Sequence, residues 1–166
     1  MSPNTLETTK DMSPSASKTP TLSTFYRHQL TRSSVHTPKL SVRGGNFAKV
    51  VKVLSGSMVV ATVMLGRYPY RITVKLDGVD TDRVKNEDGD DAASVKARNL
   101  LSFLVQNQII YLDVKRLDLR RNHLAVIYLV DGEHPNFTLS VNDKLVAEGV
   151  ARRFVPRPRE DSKEDE

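Results

Sequence analysis

Between Tyr70 and Asp82 the chain reads YRITVKLDGVDTD, and this stretch constrains the fold more than any other. Ile72, Val74 and Leu76 alternate with Arg71, Thr73, Lys75 and Asp77. A period of two belongs to an extended strand with one buried face. Gly78 breaks the alternation, and Asp77, Asp80 and Asp82 gather around the break. A cation on a strand followed by carboxylates in a tight loop has the chemistry of a phosphate-and-metal site. An ordinary strand leaving for solvent has the same composition, so the flanking chain must decide between the two.

The flanking chain supplies more strands. Val50 to Val53, with Val51 and Val53 read as alternating against Lys52, is a first strand, with order expected from about Phe47. Ser55-Gly56-Ser57 turns it into Met58–Leu65, an apolar second strand rich in β-branched residues. Gly66-Arg67-Tyr68-Pro69 leads into the third strand, which completes an antiparallel meander. The polar loop Arg83 to Asp91 follows. Setting Gly89 at the glycine position of a helix-loop-helix calcium motif puts Val84 first and Val95 last, so that motif is excluded. Asp90 or Asp91 suits the N-cap of a helix over about 92–107, with Ala93, Ala97, Leu100, Leu101 and Leu104 as its apolar stripe. Strands are then expected over Gln108–Val114 and His123–Val130, joined by the basic loop Lys115–Asn122. A short extended piece is read at 137–140. Ser140 with Asp143 three residues on caps a last short helix that ends at Gly149.

Three strands, a helix, two strands and a short helix make a mainly β chain with α. The order is that of a five-stranded barrel of the oligonucleotide/oligosaccharide-binding (OB) fold, with the main helix between strands three and four. The domain is placed at 45–154, between a Ser/Thr/Pro-rich tail at 1–44 and an acidic tail at 155–166, both expected to be disordered. Four prolines of the first tail follow Ser or Thr, at Pro3, Pro14, Pro20 and Pro38. Phosphorylation there would cancel the tail's positive charge, and the tail is a candidate contact for another protein.

The formal net charge is +5, which permits a polyanionic partner without requiring one. There is no cysteine, which excludes disulfides, thiolate zinc sites and a cysteine nucleophile. His28, His36, His123 and His134 are scattered, so no zinc site is expected. His123 and His134 are read as structural or exposed. The longest apolar run, Met58–Leu65, is far too short to span a membrane. With no apolar leader, the expectation is an intracellular protein (cytoplasmic or nuclear, not secreted) without a membrane partner.

Three segments together resemble a known family. They are Lys75-Leu76-Asp77-Gly78-Val79-Asp80-Thr81, then Asp118 with Leu124-Ala125 and Ile127-Tyr128, then Ser140-Val141-Asn142 with Leu145-Val146, Gly149 and Ala151. In order and spacing they are similar to the thermonuclease, or staphylococcal-nuclease-like, domain over about 47–154. The resemblance implies an OB barrel and a Ca²⁺-dependent phosphodiesterase. Its ion is held by two aspartates and a backbone carbonyl, its water is oriented by a glutamate, and two arginines bind the scissile phosphate.

Carried across, most of those positions are substituted. Ser57 stands at the first metal aspartate, Lys75 at the first arginine, Arg83 at the glutamate and Asn122 at the second arginine, while Asp80 is kept and Thr81 keeps its carbonyl. Asp80 and Thr81 are therefore the metal-ligand candidates. Asp77, Asp82, Arg120 and Arg121 stand one or two residues from vacated positions, a displacement that points a side chain elsewhere.

Three functions are consistent with these residues. The first is a degenerate domain that binds nucleic acid, single-stranded in preference, without cutting it. Tyr70, Arg71 and Lys75 on the third strand, with Lys115, Arg116, Arg120 and Arg121 in the loop, would meet the backbone and bases. No cofactor is then needed. The second is a Ca²⁺-dependent nuclease with a rearranged site. The third is a protein-interaction or scaffold domain.

Overall fold

The computed structural model describes residues 19–32, 41–81 and 92–155. Its strands are β1 (Gly44–Ser55), β2 (Met58–Leu65), β3 (Tyr68–Leu76), β4 (Val79–Asp80), β5 (Ile109–Leu117), β6 (His123–Asp131), β7 (His134–Pro135) and β8 (Arg152–Arg153). Its helices are α1 (Thr24–Thr31), α2 (Ala92–Val105) and α3 (Val141–Ala147). No helix among these residues is long and apolar enough to cross a membrane.

The meander β1-β2-β3 forms as the turn residues require. Gly66, between β2 and β3, has φ +60°, a conformation that a side chain resists. β5 pairs antiparallel with β1, and β6 antiparallel with β5. A parallel pairing between β3 and β6, through Val74 with His123, Lys75 with Leu124 and Leu76 with Ala125, joins the two ends. The result is a closed five-stranded mixed barrel, with a helix after β3 and a short helix near the C-terminus, as in an OB-like fold. Closure leaves none of the five strands with an unpaired edge along its whole length.

The interior is filled by alternate residues of every strand: Val59, Ala61 and Val63; Ile72, Val74 and Leu76; Ile110, Leu112 and Val114. α2 closes one end with Ala97, Leu101 and Val105, backed by Leu100 and Leu104. Ala93, placed on that stripe from spacing, is exposed instead. Helical spacing lets Val105 take the lower end of the stripe. The proposed caps Asp90 and Asp91 lie outside the described residues.

Three further differences have local causes. In β1 the inward residues are Val50 and Val53, because a bulge between Val50 and Lys52 inserts Val51 and resets the alternation. Gln106 bridges the bulge. Its Oε1 accepts from the Val53 N–H at 3.1 Å and its Nε2 donates to the Val51 carbonyl at 3.1 Å. Around 137–140 the chain turns rather than extends, and the strand pairing falls one step earlier, at His134–Pro135. The third difference lies in the segment 1–44. Ser23 caps α1, accepting from the Tyr26 N–H at 3.2 Å, and Leu22 and Leu30 are fully buried against Met64, Phe47 and Ile109. The low average hydropathy of 1–44 hides two leucines spaced to reach one face of the barrel.

Candidate functional site

At the end of β3 the barrel opens into a cleft of about 450 Å³. Its walls come from Lys75 to Asp80, from Arg116 to Leu119, and from Leu124 and Phe154. Residues Lys75 to Asp80 of the YRITVKLDGVDTD stretch thus form one wall of the cleft. Gly78, at φ +68°, makes the bend between β3 and β4 that turns Asp80 back toward it. The bend is fixed from the far end of the domain. The Phe154 N–H donates to the Gly78 carbonyl at 2.9 Å, beside the ribbon pairing of β4 with β8.

Asn142 holds the floor together. It is the second residue of α3, almost fully buried, and its helix is capped by the reciprocal Ser140–Asp143 pair. Its Oδ1 accepts from the Ile127 N–H at 3.1 Å, and its Nδ2 donates to the carbonyls of Asp77 at 3.0 Å and Ala125 at 3.2 Å. One side chain therefore ties the end of β3 to β6 where the cleft begins. Hydrogen bonding from Ser140 holds the Asp143 carboxyl below its ordinary range against the opposing effect of burial, with help from the Arg153 guanidinium.

Lys75 and Arg116 flank Leu124 in the sheet, since Leu124 is in register with both. The two cations thus sit two strands apart, roughly 10 Å between backbones. Arg116 lies 3.6 Å from the Asp77 carboxylate. Asp118 serves its own loop. Its Oδ1 accepts from the N–H groups of Arg120 and Asn122, each at 2.8 Å, and its Oδ2 accepts from Asn122 Nδ2 at 2.9 Å. Burial raises the Asp118 pKa, but these three hydrogen bonds, with the nearby charge of Lys75, outweigh it and leave the carboxyl below its ordinary value.

The candidates from sequence separate in this frame. Lys75, Asp80 and Arg116 line the cleft. Lys115 is turned to Asp113 instead. Arg120 and Arg121 are exposed at the loop tip, with Arg121 at φ +61°. Arg71 shares the outward face of β3 with Lys75, but Tyr70 does not. It has the parity of Ile72 and packs, half-buried, against the core, on the opposite face of the strand from Arg71 and Lys75. Asn122 is occupied in the Asp118 turn. Ser57 is buried beside Gly56, where a Cβ would stand 2.6 Å from the Ala97 Cβ and 2.9 Å from the Thr81 Cγ2. Only glycine permits that approach, so the first turn is pinned against α2 and Thr81. Arg83 and Asp82 lie outside the described residues.

Among the described residues, the donors do not fit the Ca²⁺ ion that the resemblance implies. Calcium takes six to eight oxygens, with carboxylates prominent among them. A serine hydroxyl stands at one aspartate position, Asp77 faces a guanidinium, and Asp118 is committed to backbone N–H groups. Among the described residues no three His, Asp or Glu side chains converge on a metal position.

Two wall residues escaped the sequence reading. Phe154 is 54% exposed and Leu119 is 94% exposed, so both present apolar surface at the cleft. The signal for Phe154 was an aromatic directly after Arg152-Arg153.

The cleft and barrel define an OB-like domain with a small opening at the end of its third strand, lined by two cations, three carboxylates and apolar side chains. A search of this sequence against family models and curated proteins finds no match.

Proposed function

We propose that this chain is a thermonuclease-like OB domain that binds single-stranded nucleic acid without cleaving it. The observation that carries the reading is the cleft wall itself. Lys75 and Arg116 stand on either side of Leu124, and Phe154 offers a ring beside them. Two spaced cations suit successive backbone phosphates once Arg116 exchanges the Asp77 carboxylate for one, and an exposed ring suits a stacked base. The groups that would hold the metal and neutralise a five-coordinate phosphorus are substituted at Ser57 and Asn122, and the second of these is tied into its loop. Lys75 supplies charge without the bidentate fork of an arginine.

The test uses labelled single-stranded DNA and RNA, with Ca²⁺ or chelator, at low and moderate salt. A shift in the native gel that weakens with salt, with intact oligonucleotide in the denaturing gel, is the expected result. Cleavage that requires Ca²⁺ and disappears in Asp80→Ala would overturn it in favour of a nuclease with a rearranged site.

A protein-interaction reading is favoured by one feature, the almost fully exposed Leu119 on the same rim, whose apolar side chain offers a phosphate nothing. Binding that ignores salt and is lost in Leu119→Ser would favour a protein partner.

A further inference from the structure

The outer face of β1 and β2 holds a second set of groups, away from the cleft. In β2, Ala61 and Val63 point into the barrel and Thr62 and Met64 point out. The outward pair is nevertheless buried, with Thr62 at 0% and Met64 at 9% exposure. The cover is α1, whose flanking Leu22 and inward Leu30 close over Met64. Thr62 is shut in without a partner, since its Oγ1 makes no hydrogen bond. Native interiors rarely leave a buried hydroxyl unsatisfied, because the lost hydration is not replaced.

Register places Lys49, Thr62 and Arg71 in one row across β1, β2 and β3. Steps of about 4.8 Å separate neighbouring strands in such a row. The row crosses the outer strand face on which OB barrels receive extended single strands. Polar contacts of α1 with the barrel reach backbone carbonyls. Lys49 Nζ donates to the Thr31 carbonyl at 2.7 Å, the Arg27 guanidinium donates to the Gly132 carbonyl, and the Leu22 N–H donates to the Glu133 carbonyl at 2.9 Å.

We infer that the row Lys49–Thr62–Arg71 is a phosphate-binding stretch of the ligand face and that α1 is a strap covering it. The inference rests on the nucleic-acid reading above and names its regulation. Lys49 and Arg27 donate to the neutral carbonyls of Thr31 and Gly132, and a phosphate oxygen is the stronger acceptor. A polyanion therefore competes with α1 for its own fastenings. When the strap lifts, Thr62 finds the partner it lacks beneath it. The closed strap lowers apparent affinity by the fraction of molecules that are open.

The experiment measures anisotropy of a fluorescein-labelled twelve-residue oligothymidylate with the full chain at several salt concentrations. Thermal melts establish that each variant is folded. Leu30→Asn, which removes the strap's buried anchor and leaves the barrel core untouched, is expected to bind about tenfold tighter. Its salt dependence should steepen by about 0.7 in logarithmic slope for each additional phosphate that the uncovered row neutralises. Lys49→Ala in that background should return affinity most of the way to the wild-type value. Thr62→Val keeps the shape and removes the orphaned hydroxyl, so it should hold the strap down and weaken binding about threefold.

A folded Leu30→Asn that binds like the wild type overturns the strap while leaving the cleft reading intact, provided Lys75→Ala still weakens the wild type. If Leu30→Asn does not fold, Thr62→Val decides, and unchanged or tighter binding overturns the inference. Absence of binding by both the wild type and Leu30→Asn overturns strap and nucleic-acid reading together.

Discussion

Leu112 in the barrel and Leu30 in α1 are both completely buried, yet the two burials are different in kind. Leu112 lies on β5 between β1 and β6, in a sheet whose neighbours are hydrogen-bonded on both sides. Its apolar contacts belong to one continuous cluster that runs through all five barrel strands, α2 and α3. Leu30 belongs to a separate cluster whose buried members are Leu22, Leu30 and Met64, with Phe47 and Ile109 at the edge. Burial of a side chain measures what surrounds it at rest. It does not measure how much of the molecule must open to expose it.

Truncation separates the two most sharply. Leu112→Ala is expected to lower global stability by about 3–4 kcal/mol, through lost transfer energy and a cavity that a closed barrel cannot collapse. Leu30→Ala removes as many atoms but should act locally. Amides of α1 would exchange faster, while those of β2 and β5 keep their protection. Urea unfolding followed by far-ultraviolet dichroism, with native-state hydrogen exchange, reads both quantities. Equal loss of barrel protection in the two variants would mean that α1 and the barrel form one cooperative unit.

The same contrast explains what the sequence discloses. Ile72, Val74 and Leu76 could be placed in the core because a strand's alternation reports its own buried face, and the order of elements then specified the barrel. Strand pairing itself carried no such signal at Val51. A bulge is a property of two strands in register, and one strand's pattern does not announce it. Tyr70 has the parity of Ile72 and packs against the core, which its position in the strand makes readable ahead of its aromatic character. α1 escaped notice because its two anchoring leucines are eight residues apart among polar neighbours. Their face becomes apolar only against Met64, Phe47 and Ile109. In the cleft, Lys75 and Asp80 were legible from one segment. Phe154 reaches the same cavity only through the pairing of β4 with β8, and Leu119 through the turn that Asp118 builds.

A smaller effect is expected at the seam beside the cleft. Asn142→Ala deletes three buried hydrogen bonds and leaves the Ile127 N–H and two carbonyls to find other partners. The cost should be about 2–3 kcal/mol of global stability, larger than the roughly 1 kcal/mol expected for loss of the α3 cap in Ser140→Ala. This sharpens the comparison from the other side. Asn142 is polar, yet it belongs with Leu112 because its partners lie at the end of β3 and on β6. Oligonucleotide affinity should fall in Asn142→Ala even at temperatures where the barrel stays folded, since the clamp sets the position of Asp77 and the β3 end. Affinity that matches the wild type there would mean the cleft keeps its shape without the clamp.

The smallest effect lies at His123, where β6 meets the segment that leads into β1. Its ring is almost fully buried on β6. Nε2 accepts from the Val42 N–H at 3.1 Å, on the segment just before β1, and Nδ1 lies 3.1 Å from the Thr73 carbonyl. Since a backbone N–H can only donate, Nε2 must be bare and Nδ1 must carry the proton, which fixes a neutral tautomer. Burial lowers the His123 pKa below 6.5, and the Thr73 carbonyl opposes that shift only in part. The unfolded chain therefore takes up this proton first as pH falls. The stabilisation is complete above about pH 6.5 and declines as pH drops from there through the folded value. Protonation of Nε2 also expels the Val42 N–H, so the first loss should appear in the segment leading into β1 rather than in β5 or β6. Urea midpoints of the wild type and His123→Gln, compared at pH 7.5 and pH 5, isolate the contribution. The wild type should lose more stability than the variant on acidification. Parallel losses would show that the Val42 contact survives protonation and that this seam belongs to the barrel outright.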